Sequence, residues 1–449
     1  MLDDGKADEN GSVAVWDEQG FMKVKIDVQK LKLGMYVCEL DRPWRETPFL
    51  FQGFEILLDE ELKELQRCCR TVYIKLPDTA TAAPGISPRV MEMSKPSAQI
   101  VPPKQTAVLL EQELLKLNNH PAARASYEDQ TTLEEEIQLV NETYVEARSL
   151  MQDIMWEAKF GRSLNVAGAK KAVSKMVESA LRNPDALVCF AQLKRKDEYT
   201  AMHSLRVSIL ALVFGRQLGM KAEELQILGM GALLHDVGKM KVPSEILNKS
   251  DTLTSDELSL MKMHVPWGIE ILEKTGQVPA GALEVVRRHH ERYDGSGYMD
   301  GLKGDTIGTI GMITGIIDHY DAVTSDRAYR AGISAHAAMK KMYEWRGSLF
   351  EPRLVEKFIQ CMGIYPIGSI VELNSGEIGV VAGLNRNQRL KPRVVLVQHA
   401  DKTPNPQTPL ISLANRCTPD GRFYEVERVL EPAVCSIDAF QYLPIPKVA

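Results

Sequence analysis

Five histidines place the strongest constraint on how this chain of 449 residues can fold. They lie between Tyr199 and Arg330, although the whole sequence holds only nine histidines. Two aspartates accompany them, and the full set is His203, His235, Asp236, His264, His289, His290 and Asp318. Groups so widely spaced along the chain form one site only if the intervening segments fold back on one another. We therefore expect a bundle of helices whose interior gathers these side chains.

The ligand types indicate a metal centre. Imidazole and carboxylate groups in this ratio suit iron, manganese or zinc better than calcium or magnesium. Seven candidate ligands exceed the four of a closed structural zinc site. Two adjacent divalent ions with positions open to water accommodate them better, an arrangement that proteins use for phosphoester hydrolysis. A purely structural histidine cluster is the alternative.

Composition excludes other classes of protein. The net charge of −6 gives no sign of a DNA-binding surface. No apolar run approaches the roughly 20 residues of a membrane span, and the acidic start does not resemble a signal peptide. Seven cysteines without a CxxC pair predict free thiols in a reducing compartment. We therefore expect a cytoplasmic protein with neither DNA binding nor membrane insertion.

Length and patterning predict a multidomain, mainly helical protein. Residues 1–20 are predicted to be disordered. Alternating apolar residues and one helical segment over 21–76 predict a small α+β module, and six prolines mark 77–106 as a linker. Helical periodicity covers 107–363, with the core of that domain at 185–363. A small β-rich domain is predicted over 364–449.

Periodicity and breaking residues also locate individual elements. A long helix over 133–160 is a candidate dimerisation element. The other predicted helices cover 166–181, 197–218, 222–236, 255–275, 280–290, 309–326, 334–344 and 352–362. Three strands are predicted near the C-terminus, at 370–373, 378–382 and 394–397.

Two short motifs carry most of the chemical information. His235-Asp236-Val-Gly-Lys239 ends an apolar helix, and burying an unpaired carboxylate there is unfavourable, which favours a cation partner over a simple helix cap. Adjacent His289 and His290 precede a loop containing Asp294, Gly295, Gly297, Tyr298 and Met299. The glycines tolerate unusual backbone angles, so a surface turn explains the loop but not the two imidazoles.

The remaining candidates are ambiguous when taken singly. His203 and His264 are each also explained as ordinary core or surface histidines. Asp318 and Asp321 lie one turn apart on an apolar helix, where a solvated face explains only one of them. Arg327 and Arg330 are either a basic helix end or clamps for phosphate oxygens.

Taken in order, these motifs resemble the HD-GYP family of bacterial cyclic di-GMP phosphodiesterases over about residues 197–363. The paired histidines and the Asp-Gly-Ser-Gly-Tyr loop distinguish this family from other HD phosphohydrolases. The N-terminal module, through Gly34-Met-Tyr-Val37 and Pro43-Trp44, is similar to an uncharacterised domain often found ahead of such domains. It is a candidate for sensing or docking.

The resemblance implies a role for each candidate. It implies that Asp236 bridges two ions, which suit iron or manganese. One ion is held by Asp236 with His203, His235 and Asp318, and the other by Asp236 with His264, His289 and His290. The resemblance also implies that Lys239, Arg327 and Arg330 contact substrate phosphate, and we add Asp321 to these substrate contacts.

The implied reaction is hydrolysis of cyclic di-GMP to linear pGpG, with GMP as a further product, by a hydroxide that two metals activate. A receptor that binds cyclic di-GMP without cleaving it, and an HD hydrolase of another cyclic dinucleotide, are the alternatives. Two positions depart from the family pattern. Tyr199 replaces the glutamate of members with three metals, and Met299 replaces the proline of a loop linked to diguanylate cyclase (GGDEF) partners.

Overall fold

The computed structural model describes most of the chain. The described residues are 14–16, 22–42, 47, 49, 54–57, 59–75, 125–193, 199–326, 332–385, 388, 390–431, 435 and 437–445. The linker predicted over 77–106 and the two arginines Arg327 and Arg330 lie outside them. Contacts divide the chain into two compact units, Met1–Lys104 and Gln105–Ala449. Among the described residues, no helix is long and apolar enough to cross a membrane.

In the described part of the first unit, an antiparallel sheet is accompanied by one α-helix. Its elements are β1 (Ala14–Trp16), β2 (Met22–Asp27), β3 (Tyr36–Leu40), β4 (Phe54–Glu55), α1 (Asp59–Cys68) and β5 (Thr71–Lys75). The strand order is β1-β2-β5-β3-β4. Buried Val37, Phe54, Leu65 and Val72 form its core. Strand β1 pairs with β2, so the prediction of disorder was wrong for Ala14–Trp16.

Helices make up the first part of the second unit. They are α2 (Leu133–Lys159), α3 (Val166–Arg182), α4 (Pro184–Ala191), α5 (Tyr199–Gln217), α6 (Ala222–Leu234), α7 (Ser244–Leu247), α8 (Ser255–Lys262), α9 (His264–Thr275), α10 (Ala280–Arg288), α11 (Thr309–Thr324), α12 (Ala335–Glu344) and α13 (Pro352–Met362). Nearly every residue of α5 from Ala201 to Gly215 is buried, so this helix lies at the centre of the bundle. The predicted fold class, mainly helical, is confirmed.

One predicted helix is divided in two. The expected helix over 255–275 breaks at Met263, which separates α8 from α9. Pro266 explains the break, because proline lacks a backbone N–H and is tolerated only in the first turn of a helix. The restart places His264 at the first position of α9, with its side chain buried.

A five-stranded antiparallel sheet completes the second unit. Its strands are β6 (Ile370–Leu373), β7 (Ile378–Gly383), β8 (Arg393–Gln398), β9 (Leu410–Ser412) and β10 (Val426–Leu430), in the order β10-β6-β7-β8-β9. The sequence predicted only the first three, because β9 and β10 are short and lack clear alternation. Arg393 bonds Glu134 of α2 at 2.7 Å, and Glu431 bonds Ser334 at 2.7 Å. The sheet therefore contacts the helices.

Gly238 permits a close backbone contact next to the histidines. It lies in the 3-10 segment Val237–Lys241 that follows α6. A Cβ atom at Gly238 would lie 1.9 Å from the carbonyl oxygen of His264 and 2.5 Å from the amide nitrogen of Gly268. Both neighbours are backbone atoms, which cannot rotate away. Only glycine lets the end of α6 approach α9 this closely.

We expect Gly238→Ala to lower the free energy of unfolding by about 1–3 kcal/mol, because the contact must separate. Gly268→Ala is the matched control on the facing helix. Its Cβ would meet atoms only at 3.4 Å and beyond, and alanine favours the helix by about 1 kcal/mol. Chemical denaturation of both variants measures the difference, and equal stabilities would contradict the proposed close contact.

Candidate metal centre

The ends of two helices supply four of the candidate ligands. Helix α6 ends at Leu234, so that His235 and Asp236 leave the helix together, each fully buried. Helix α10 ends at Arg288 and is followed by His289 and His290. Each pair thus enters the bundle interior where the backbone is no longer constrained to continue the helix.

Three of the histidines are oriented in the same way. Each Nδ1 lies within hydrogen-bonding distance of the carbonyl oxygen three residues earlier: His235 to Ala232 at 2.7 Å, His264 to Met261 at 2.7 Å, and His289 to Val286 at 2.8 Å. A carbonyl oxygen only accepts, so Nδ1 carries the proton and donates it. The Nε2 atom of each ring is left facing the interior, as a metal ligand requires.

His203 is oriented by a side chain instead. Its Nδ1 lies 2.7 Å from Oδ2 of Asp321, while its Nε2 lies 2.9 Å from Oδ1 of Asp318. Asp321 is itself bound by Arg206 at 2.7 and 2.8 Å. This is a correction to the predicted substrate contact, because Asp321 is only 1% exposed and lies behind His203.

The ligand atoms form two groups that share one carboxylate. His203, His235 and Asp236 form one group, and Asp236, His264, His289 and His290 form the other, with ligand atoms within 4.8 Å of one another. Asp318 contacts both groups, since its oxygens lie 2.9 Å from His203 Nε2 and 3.9 Å from His290 Nδ1. Separations of this size fit ions with ligand bonds of about 2.0–2.2 Å.

Two buried atoms at the centre have no hydrogen-bond partner among the described residues. They are Nε2 of His235 and Oδ1 of Asp236. Buried polar atoms are usually satisfied, because leaving them unpaired costs roughly 1–3 kcal/mol each. Both atoms belong to the candidate ligands, and a cation would satisfy both. The donor set therefore fits divalent metal ions.

Most of the candidate ligands have the protonation state that cation binding requires. Burial lowers the pKa of His264 to about 4 and holds the pKa values of His289 and His290 well below their usual range. Burial raises the pKa of Asp236, but His235 and Lys239 outweigh it and lower that pKa well below its ordinary value. These imidazoles are thus neutral and this carboxylate is charged near pH 7.

His235 behaves differently from the other histidines. Burial lowers the pKa of its ring, but the neighbouring carboxylates of Asp236 and Asp318 outweigh this effect and raise the pKa to about 10. Without a metal the ring is therefore protonated near pH 7. The neighbouring carboxylates of Asp236 and Asp318 favour a positive charge between them, either a proton on His235 or a metal ion.

The loop after the paired histidines lies against the centre. The ring of Tyr298 stacks on the ring of His290, with centroids 4.6 Å apart. The ammonium group of Lys262 lies over the Tyr298 ring, 5.0 Å from its centroid. A Cβ atom at Gly297 would lie 2.5 Å from the carbonyl oxygen of His290, so this position requires glycine. Met299, the next residue after Tyr298, is 41% exposed.

Other predicted residues have simple local roles in the structure. Lys239 forms an ion pair with Asp236. Asp294 accepts a hydrogen bond from the backbone of Ser296 at 2.8 Å, and Gly295 has a φ of +85°. Arg327, Arg330 and the side chain of Tyr199 lie outside the described residues.

Sequence reasoning missed two residues that support the site. Glu291 is buried and accepts hydrogen bonds from the amides of Asp300 and Leu302 at 2.7 and 2.9 Å, which closes the loop. Arg206 is 2% exposed on α5. The signal for Arg206 was present, since an arginine one turn after His203 within an apolar helix needs a buried anion.

Comparisons with known proteins agree with this geometry. Residues 186–354 match the HD domain family, and residues 23–169 match a domain of unknown function, DUF3391. The chain is 34% identical over 397 residues to a cyclic di-GMP phosphodiesterase from Pseudomonas aeruginosa, covering 86% of this chain and 88% of that protein. The chain belongs to the HD-GYP phosphodiesterase family. The resemblance inferred from the motifs is confirmed.

Other relatives match a smaller share of the chain. The cyclic di-GMP phosphodiesterase response regulator RpfG from Xanthomonas campestris is 37% identical, over 42% of this chain and 51% of its own length. A 3'3'-cGAMP-specific phosphodiesterase from Vibrio cholerae is 32% identical, over 37% of this chain and 32% of its own length. The relatives therefore include proteins named for two different cyclic dinucleotides.

We expect metal affinity to rise with pH. Nδ1 of His235 already donates to a carbonyl, so binding a cation through Nε2 removes the second proton of the ring. With a pKa of about 10, that proton is present throughout the range from pH 6.5 to 8.5. Losing one proton increases the affinity about tenfold for each pH unit. Titrating metal-free protein with Mn²⁺ at pH 6.5, 7.5 and 8.5 measures this change in affinity. An affinity that does not change with pH would show that the His235 ring is neutral in this range.

Proposed function

We propose that this chain is a metal-dependent phosphodiesterase that hydrolyses cyclic di-GMP to linear pGpG, and pGpG further to GMP. One observation carries the proposal: two groups of buried or partly buried ligands share Asp236, in a chain that aligns with 88% of the length of a named cyclic di-GMP phosphodiesterase. Two adjacent cations supply a water of lowered pKa and stabilise charge on phosphate oxygens. We propose iron or manganese, which suit the mixed imidazole and carboxylate donors.

The residues of the chain have distinct proposed tasks. His203, His235 and Asp318 hold one ion, His264, His289 and His290 hold the second, and Asp236 belongs to both. The Lys239 side chain is 20% exposed and pairs with Asp236, so its ammonium group is available to a phosphate that enters beside this carboxylate. Tyr298 covers one face of His290 and excludes water there.

Two arginines complete the proposed substrate site. Arg327 and Arg330 follow α11, the helix that carries Asp318. Planar guanidinium groups bind phosphate oxygens through paired hydrogen bonds. We propose that both arginines hold the phosphates of the dinucleotide, as the resemblance implies.

A second candidate substrate is 3'3'-cGAMP. The 32% identical relative from Vibrio cholerae is named for that dinucleotide. Both candidates present the same phosphodiester to the metal centre and differ in one base. Discrimination between them therefore depends on base contacts outside the ligand set.

We expect purified protein loaded with Mn²⁺ or Fe²⁺ to convert cyclic di-GMP to pGpG, separated by ion-pair chromatography. His235→Ala and Asp236→Ala are expected to reduce kcat by at least about 10³-fold, because each removes an inner ligand. His399→Ala is the control, since this exposed histidine lies in the C-terminal sheet region. Tight binding without turnover in the metal-loaded protein would identify a receptor, and faster turnover of 3'3'-cGAMP would identify the second substrate.

We propose a cytoplasmic location and a contact with diguanylate cyclase domains. None of the seven cysteines forms a disulfide in the described structure, which suits a reducing compartment. The cyclase contact is proposed at the loop that ends in Met299, which exposes an apolar side chain beside the centre.

We also propose that α2 mediates a homodimer. Leu139, Val145 and Trp156 are 56%, 48% and 47% exposed, and they fall within about 120° of the helix circumference. Phe160, which is 59% exposed, packs against Trp156 with the two rings tilted and their centroids 4.9 Å apart. Exposed aromatic groups clustered in this way are typical of protein interfaces.

Leu139→Glu combined with Trp156→Glu is expected to convert the dimer to a monomer, because the charged side chains resist burial at an interface. Deleting α2 is unsuitable, since its other face packs Ile137, Tyr144 and Met151 into the core. Glu146→Gln on the same helix is the control. Sedimentation equilibrium measures the mass, and a dimer that persists in the double variant would eliminate this interface.

A further inference from the structure

The two ligand groups differ in the acceptors to which their histidines donate Nδ1–H. In the second group, His264 and His289 donate Nδ1–H to neutral backbone carbonyls. In the first group, His203 donates to the charged carboxylate of Asp321. Charge-assisted hydrogen bonds are roughly twice as strong as neutral ones and make the imidazole a more basic ligand. The first group thus contains one histidine with a stronger electrostatic anchor.

Arg206 fixes this carboxylate in place. Its Nε lies 2.7 Å from Oδ1 of Asp321, and its Nη2 lies 2.8 Å from Oδ2, so both oxygens are held. Nη2 also lies 3.3 Å from the hydroxyl of Ser325. The contacts join α5 to α11 across 115 residues of sequence. Asp321 therefore has its orientation set before any ligand binds.

Neither residue touches the substrate side of the centre. Arg206 is 2% exposed and Asp321 is 1% exposed, and His203 lies between Asp321 and the candidate ligand Asp318. A buried ion pair is weak evidence for stability, because desolvation of both charges offsets their attraction. Apolar residues would join two helices at least as well, so the polar contact with His203 calls for a functional explanation.

We propose that Arg206 and Asp321 are positioning residues that strengthen metal binding by the first ligand group relative to the second. Building on the proposed two-metal enzyme, this assigns unequal affinities to its two ions. The carboxylate locks the ring of His203 with Nε2 directed at the ion and increases electron density on that nitrogen. The second group depends on carbonyl anchors and exchanges its ion more readily.

The test measures binding of Mn²⁺ alone to the full chain, using metal content after dialysis and titration of the metal-free protein. Wild type is expected to bind two ions with different affinities, and His264→Ala, which removes a ligand of the second group, assigns them. Asp321→Asn is expected to weaken the first-group ion about 10–100-fold while leaving the second unchanged. Arg206→Lys keeps the charge but loses the paired hydrogen bonds to Asp321. Its affinity for the first-group ion is expected to lie between that of wild type and that of Asp321→Asn.

A folding defect is separated from a loss of positioning by two further variants. The double variant Arg206→Met/Asp321→Asn removes both charges, so that no buried charge is left unpaired. The matched control is Glu136→Gln/Arg182→Met, which removes another ion pair between two helices, α2 and α3, at 2.8 Å. In this pair Glu136 is fully buried and Arg182 is partly exposed. The melting temperature of each metal-free variant reports folding.

The proposal requires a selective loss of first-group affinity in the Asp321 variants and none in the Glu136 control. Equal loss at both sites, no loss, or a wild-type protein that binds a single ion would each overturn it. These readouts need no cyclic dinucleotide. If wild type binds two unequal ions without hydrolysing cyclic di-GMP, the proposed function fails while this inference stands.

Discussion

The structure of the helical bundle depends on one buried carboxylate, Asp236. It lies at a helix end with no exposed surface, and one of its oxygens has no hydrogen-bond partner among the described residues. An anion in that position is unfavourable unless positive charge surrounds it. Lys239 and His235 lie beside it, and a bound cation would add further positive charge. The ends of α6 and α10 therefore lie close together, because the residues that follow them surround this carboxylate.

The sequence was sufficient to predict which residues converge, because each motif combined a metal-binding side chain with a local reason for being at a helix end. His235-Asp236 before Gly238 and His289-His290 before the glycine loop are examples. The division at Met263 was not predicted, although Pro266 marked it. The additional strands β9 and β10 were not predicted either, since three to five residues carry too little alternation to distinguish a strand from a loop.

The error at Asp321 has a clear physical origin. Helical spacing shows that Asp318 and Asp321 share one side of α11, but it does not show which of them lies among the other candidate ligands. That difference depends on Arg206, which lies 115 residues earlier and takes both oxygens of Asp321. The outcome is decided by a contact between distant helices. One sequence read in segments does not contain that information.

The carbonyl anchors of His235, His264 and His289 have a consequence for how this centre tolerates change. Each anchor is a main-chain oxygen, which every amino acid supplies, so replacing Ala232, Met261 or Val286 leaves the acceptor in place. The orientations of these three histidines therefore do not depend on which side chains occupy the three acceptor positions. The orientation of His203 instead depends on the side chain of Asp321, so substitution at that position can change the electrostatic environment of a candidate ligand without removing the ligand.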